Sequence, residues 1–114
     1  MSANPSHVTT HVLDLGTGQP AAGMAVLLER VTGAGEIEPI ARGVTDANGR
    51  IAELGPATLS AGAYRLRFDA AGYLGERIGF YPEIAVTFRI DDAMQHYHVP
   101  LLLGPWGYTT YRGS

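Results

Sequence analysis

Cysteine is absent from the 114-residue chain. That excludes a disulfide framework, a thiolate nucleophile, a cysteine-held zinc and an iron–sulfur cluster. Lysine is absent as well, and all eight basic residues are arginine. Schiff-base chemistry, a pyridoxal-phosphate lysine and a lysine-bearing phosphate loop are excluded with it. Positive charge is in deficit, at a net −3, so no nucleic-acid partner is expected. No apolar run approaches the roughly 20 residues that cross a bilayer, so no membrane partner is expected either. The opening MSANPSHVTT has neither a basic start nor an apolar stretch. It does not read as a secretory signal, and the expected location is cytoplasmic.

What is present reads as one globular domain spanning 1–114, with about 1–6 a flexible N-terminus. The chain is 46% apolar and 17% charged, a balance that can bury a core. Fifteen glycines and seven prolines leave no helical stripe of useful length. Strand alternation survives instead. Tyr64, Leu66 and Phe68 alternate with Arg65, Arg67 and Asp69, and Ile84, Val86, Phe88 and Ile90 alternate with Ala85, Thr87, Arg89 and Asp91. Both runs predict half-buried antiparallel strands. Further strands are expected at Val8–Leu15, Met24–Thr32, Ile37–Val44, Arg50–Leu54, Tyr97–Leu103 and Tyr108–Arg112, about eight in all. Gly16–Pro20 reads as a turn and Thr32–Gly35 as a hairpin loop. Asn48-Gly49 fits a type I′ hairpin turn. A short helix is expected within Ala70–Gly79. The expectation is an all-β sandwich or small barrel.

Four histidines stand near the two ends: His7, His11, His96 and His98. Positions i and i+2 of a strand share a face, so His96 and His98 point the same way, as do His7 and His11 within theirs. Terminal strands of a sandwich often lie side by side, which lets one pair face the other. His-x-His is also a metal-ligand spacing, with Asp14 or His11 as a third ligand. Arg50, after the Asn48-Gly49 turn, is either a solvated strand end or a two-pronged grip for a carbonyl or anion. Leu101–Tyr108 is apolar and aromatic close to the chain end, and Trp106, Tyr108 and Tyr111 predict a surface covered by a second copy.

Thr10-His-Val-Leu-Asp14, Gly18-Gln-Pro-Ala21, Thr45-Asp-Ala-Asn-Gly-Arg50, His96-Tyr-His-Val-Pro-Leu-Leu103 and the ending Tyr111-Arg-Gly-Ser114 together resemble the transthyretin-like family. The last tetrapeptide resembles its enzyme branch, which hydrolyses 5-hydroxyisourate. Gly104 and Trp106 stand where many relatives have Ser and Phe. The resemblance covers Val8 to Ser114 and implies an all-β, prealbumin-like sandwich of two four-stranded antiparallel sheets with one short helix. It implies a homotetramer, a dimer of dimers with sites at the dimer–dimer interface. It places catalytic roles on His11, Arg50, His98 and Ser114, and substrate contacts on Tyr111, Arg112, Gly113 and His96. In that scheme His11 and His98 together supply the base that activates water, with the choice between them open. Arg50, with Arg112 beside it, supplies donors, and Ser114 orients a histidine through its hydroxyl or a terminal carboxylate. No metal and no cofactor are expected. The alternatives are a non-enzymatic ligand carrier and a metal-dependent hydrolase built on His96 and His98.

Overall fold

A computed structural model describes residues 6–114. Most of the stretch expected to be flexible, residues 1–5, lies outside the described residues. Ser6 itself is buried, and its Oγ accepts from the Leu54 N–H at 2.7 Å.

Among the described residues, nine strands and one helix follow in order: β1 (Val8–Asp14), β2 (Gln19–Pro20), β3 (Ala25–Val31), β4 (Ile37–Val44), β5 (Arg50–Ile51), β6 (Gly62–Phe68), α1 (Ala70–Leu74), β7 (Ile84–Ile90), β8 (Tyr97–Leu103) and β9 (Tyr108–Thr110). They form two sheets. One runs β4-β3-β6-β7 and is antiparallel throughout. The other runs β2-β1-β8-β9, with β5 also paired to β1. The sandwich is as expected. The second sheet departs from four antiparallel strands in two ways. It has five strands, because Gln19–Pro20 leaves its turn long enough to pair with Leu13 and Asp14. Its central pair, β1 and β8, is parallel. Parallel neighbours need a long connection between them, and here the body of the chain supplies it.

Alternation builds the core. Tyr64, Leu66 and Phe68 of β6 are fully buried against Val26 and Leu28 of β3, and Val12 and Leu101 close it from the other sheet. Burying each such side chain contributes roughly 1.5–3 kcal/mol. On β7 the alternation is only half realised. Ile84 and Ile90 are buried, whereas Val86 and Phe88 are half-buried along a groove of about 310 Å³ between β7 and the tail after β9. No described helix is long and apolar enough to cross a membrane.

Candidate active site

The turn before β5 carries the first site residue. Asp46 anchors it: the Gly49 N–H donates to the Asp46 carbonyl at 2.9 Å, and Asp46 Oδ1 accepts from the Asn48 and Arg50 N–H groups at 2.8 and 3.0 Å. Those bonds, with Arg50 and His11 adding positive charge nearby, hold the Asp46 carboxyl below the usual aspartate range. The turn is not the type I′ hairpin that Asn48-Gly49 suggested. Only Gly49 has positive φ, at 75°, and β4 and β5 belong to different sheets. The chain folds back locally, the Asp46 N–H donating to the Arg50 carbonyl at 2.9 Å, and passes into the other layer. Glycine is required at 49 for a second reason: a Cβ would stand 2.4 Å from the Val12 carbonyl oxygen. That close approach seats Arg50 directly opposite His11 in the β1–β5 register.

On the other side of β1, the parallel register sets Thr9 opposite His98 and His11 opposite Pro100. Thr9, His11 and His98 therefore share the outer face of the five-stranded sheet. Thr9 is 7% exposed. Its hydroxyl oxygen lies 2.8 Å from His98 Nδ1 and 2.8 Å from His96 Nε2. The His-x-His pair does converge on one point, and that point is Thr9 Oγ1. The tail closes the row. The Gly113 N–H donates to the His98 carbonyl at 2.8 Å. A Cβ at 113 would meet His98 Cδ2 at 2.6 Å, so only glycine lets the tail lie on the ring.

Thr9, Arg50, His96, His98 and Ser114, with Ile51, line one pocket of about 210 Å³. His11 stands beside it, opposite Arg50. Burial is the main cause that pushes His98 below the ordinary histidine value, and the positive charges of Arg50, His11 and His96 add to it. His98 is thereby a neutral imidazole near pH 7.

Residues expected at 11, 50, 96, 98, 113 and 114 are thus gathered at one place. Two others are not. The Arg112 guanidinium donates to Gln95 Oε1 at 3.0 Å and to the His96 carbonyl at 3.3 Å, and lies 4.4 Å from the Tyr97 ring centroid. Tyr111 lines the groove beside β7. His7 does not join His11. It precedes β1, and its buried ring accepts from the Leu59 N–H at 2.7 Å and donates to the Gln95 carbonyl at 2.6 Å. Asp14, considered as a metal ligand, is buried and accepts from Tyr73 at 2.7 Å and Arg77 at 2.8 Å. Those bonds outweigh its burial and hold its carboxyl below the usual range. Among the described residues, no group of three His, Cys, Asp or Glu side chains is placed to hold a metal. Thr9 was missed by sequence reasoning. Its signal was parity, two residues before His11 on the same strand face.

Comparison with known proteins adds the relatives. A model of the HIUase/Transthyretin family matches residues 8–113. The 5-hydroxyisourate hydrolase of Halalkalibacterium halodurans is 43% identical over 115 residues, covering 94% of this chain and 97% of that protein. The structure of Klebsiella pneumoniae 5-hydroxyisourate hydrolase aligns with a TM-score of 0.81 at 39% identity, over 94% of this chain and 98% of that one. Sea bream transthyretin in complex with thyroxine aligns with a TM-score of 0.85 at 34% identity, over 93% of each chain.

Proposed function

Because the chain belongs to the HIUase/Transthyretin family, we propose that it is a hydrolase of 5-hydroxyisourate, the labile product of urate oxidation. The observation that carries this reading is the pocket where Arg50, His98 and Ser114 meet, with His11 alongside. These residues are remote in the chain, and register alone unites them.

Hydrolysis opens the six-membered ring at a C–N bond. A neutral imidazole takes a proton from water, and the hydroxide adds to the ring carbonyl carbon. The oxyanion collapses, the C–N bond breaks, and the departing nitrogen takes up a proton. The product is 2-oxo-4-hydroxy-4-carboxy-5-ureidoimidazoline. His98 suits the base, because burial and neighbouring cations keep it unprotonated. A positioned base is worth roughly 10²–10⁴-fold. Arg50 supplies a fixed fork of donors for the developing oxyanion and the flat, carbonyl-rich ring. His11 is paired across from Arg50, and Ser114 lines the same pocket as His98. Side chains and water suffice for these steps.

A carrier of the transthyretin kind shares the fold. The pocket described here carries Thr9, Arg50, His96 and His98 in its wall, which suits a small carbonyl-rich substrate. Exposed Phe80, Tyr81, Trp106 and Tyr108 form one aromatic patch, with Phe80–Tyr81 and Tyr81–Tyr108 centroids 5.0 and 5.2 Å apart. This supports a homotetramer in which further copies cover the patch.

The test is direct. Ultraviolet absorbance of freshly made 5-hydroxyisourate decays faster with protein than without, and the acceleration disappears in His98→Asn. Equal decay with and without protein overturns the hydrolase reading. Sedimentation at micromolar concentration returns four copies; a monomer overturns the assembly.

A further inference from the structure

We propose that Thr9 is a positioning residue that couples the proton states of His98 and His96, and that His96 is the acceptor to which His98 hands its proton. The catalytic part of this proposal rests on the hydrolase reading above. A hydroxyl has one hydrogen to give. Thr9 Oγ1 lies 2.8 Å from a ring nitrogen on each side, so it can donate to only one ring, and in the proposal it accepts from the other. The two tautomers are therefore linked. When Thr9 donates to His96 Nε2, it accepts from an N–H at His98 Nδ1. His98 Nε2 is then bare, and it has no hydrogen-bond partner among the described residues. That is the form a base needs.

The same chain moves a proton outward. His98 Nε2 takes a proton from water, and its Nδ1 proton passes to Thr9 Oγ1. The hydroxyl's own proton passes to His96 Nε2. His98 ends neutral and His96 ends as imidazolium, with no proton gained or lost. The direction follows exposure: Thr9 is buried and His98 half-buried, while His96 is exposed to water that can take the charge away. The arrangement is rigid, because Thr9 faces His98 in register and the tail glycine pins the opposite edge of the His98 ring.

The experiment uses the full chain labelled with ¹⁵N-histidine. Ring nitrogen shifts of the free protein above pH 7 report the tautomers without any turnover. The expected spectrum has His98 protonated at Nδ1 and His96 bare at Nε2. In Thr9→Val, which keeps the branched shape, that tautomer preference is lost, and kcat falls roughly 10- to 100-fold with KM within about twofold. Thr9→Ser restores both. His98 protonated at Nε2 in the wild-type spectrum overturns the proposed relay, facing nitrogens that are both protonated or both bare overturn the coupling, and a wild-type kcat in Thr9→Val overturns the positioning role. Should Thr9→Val fail to fold, the wild-type spectrum still decides. An inactive wild type with the expected tautomers would sink the hydrolase reading and leave the coupling standing.

Discussion

On the outer face of the four-stranded sheet, Glu29 is 3% exposed and accepts from Arg65 at 2.8 Å. Arg67 lies 3.5 Å from it and reaches Glu83 at 3.4 Å. On the outer face of the five-stranded sheet, Arg50, His96 and His98 line a pocket that has no acidic side chain in its wall. The first face closes its charges on one another. The second lines its pocket with the Arg50 guanidinium and two imidazoles and with no acidic side chain, which suits a carbonyl-rich or anionic molecule. Burial with a partner makes a strut; burial without one makes a reactive imidazole.

The largest effect is expected from breaking the second face while keeping its charge. Arg50→Lys retains the cation and loses the fork, and kcat/KM falls by about 10²–10³. Thermal unfolding stays unchanged, because the Arg50 side chain is exposed. Near-wild-type turnover would remove the two-pronged role. Gly113→Ala comes next. Its Cβ meets His98 Cδ2 at 2.6 Å, so tail or ring shifts, and kcat/KM drops by roughly 10- to 100-fold. Steady-state kinetics beside circular dichroism check it: full activity would mean the tail does not hold the ring.

The first face is broken by Glu29→Ala, with the opposite signature. Arg65 and Arg67 lose their buried carboxylate, and denaturant unfolding shows a loss of about 1–3 kcal/mol, the low end reflecting how exposed the arginines are. Turnover per folded molecule stays at the wild-type value. A fall in kcat without a fall in stability would erase the division of labour between the faces.

Much of this was legible in the sequence, for a physical reason. Tyr64, Leu66 and Phe68 alternate with charged residues over a long enough run to declare strand and face at once. Gln19–Pro20 did not declare itself, because two residues carry no period. Asn48-Gly49 misled, since the dipeptide marks a turn but not which layer the chain enters next. Nothing local announces that β1 and β8 run parallel, although that pairing sets Thr9 against His98. Resemblance singled out His11, Arg50, His98 and Ser114, and register explains why those positions meet. It also named Arg112, whose guanidinium donates to Gln95 and to the His96 carbonyl. A tail motif conveys composition, not which way each side chain turns.

The smallest effect sharpens the comparison most, because it separates the two causes acting on His98. Burial lowers its pKa first, and the charges of Arg50, His11 and His96 lower it further. A histidine whose folded pKa is depressed binds fewer protons folded than unfolded. Its contribution to stability is present above the ordinary histidine value of about 6.5 and is lost as pH falls through the folded pKa. NMR titration of His98 should place its midpoint on the acid side of that ordinary value. Arg50→Lys, which keeps the positive charge, should leave the midpoint low although kcat/KM has fallen. Arg50→Met, which removes the charge, should move it upward. Added salt should do the same in the wild type, since ions screen the cations but not the burial. A midpoint above the ordinary value, or one indifferent to both Arg50→Met and salt, would show that the cations near this pocket do not act on His98. The contrast between the faces would then reduce to burial alone.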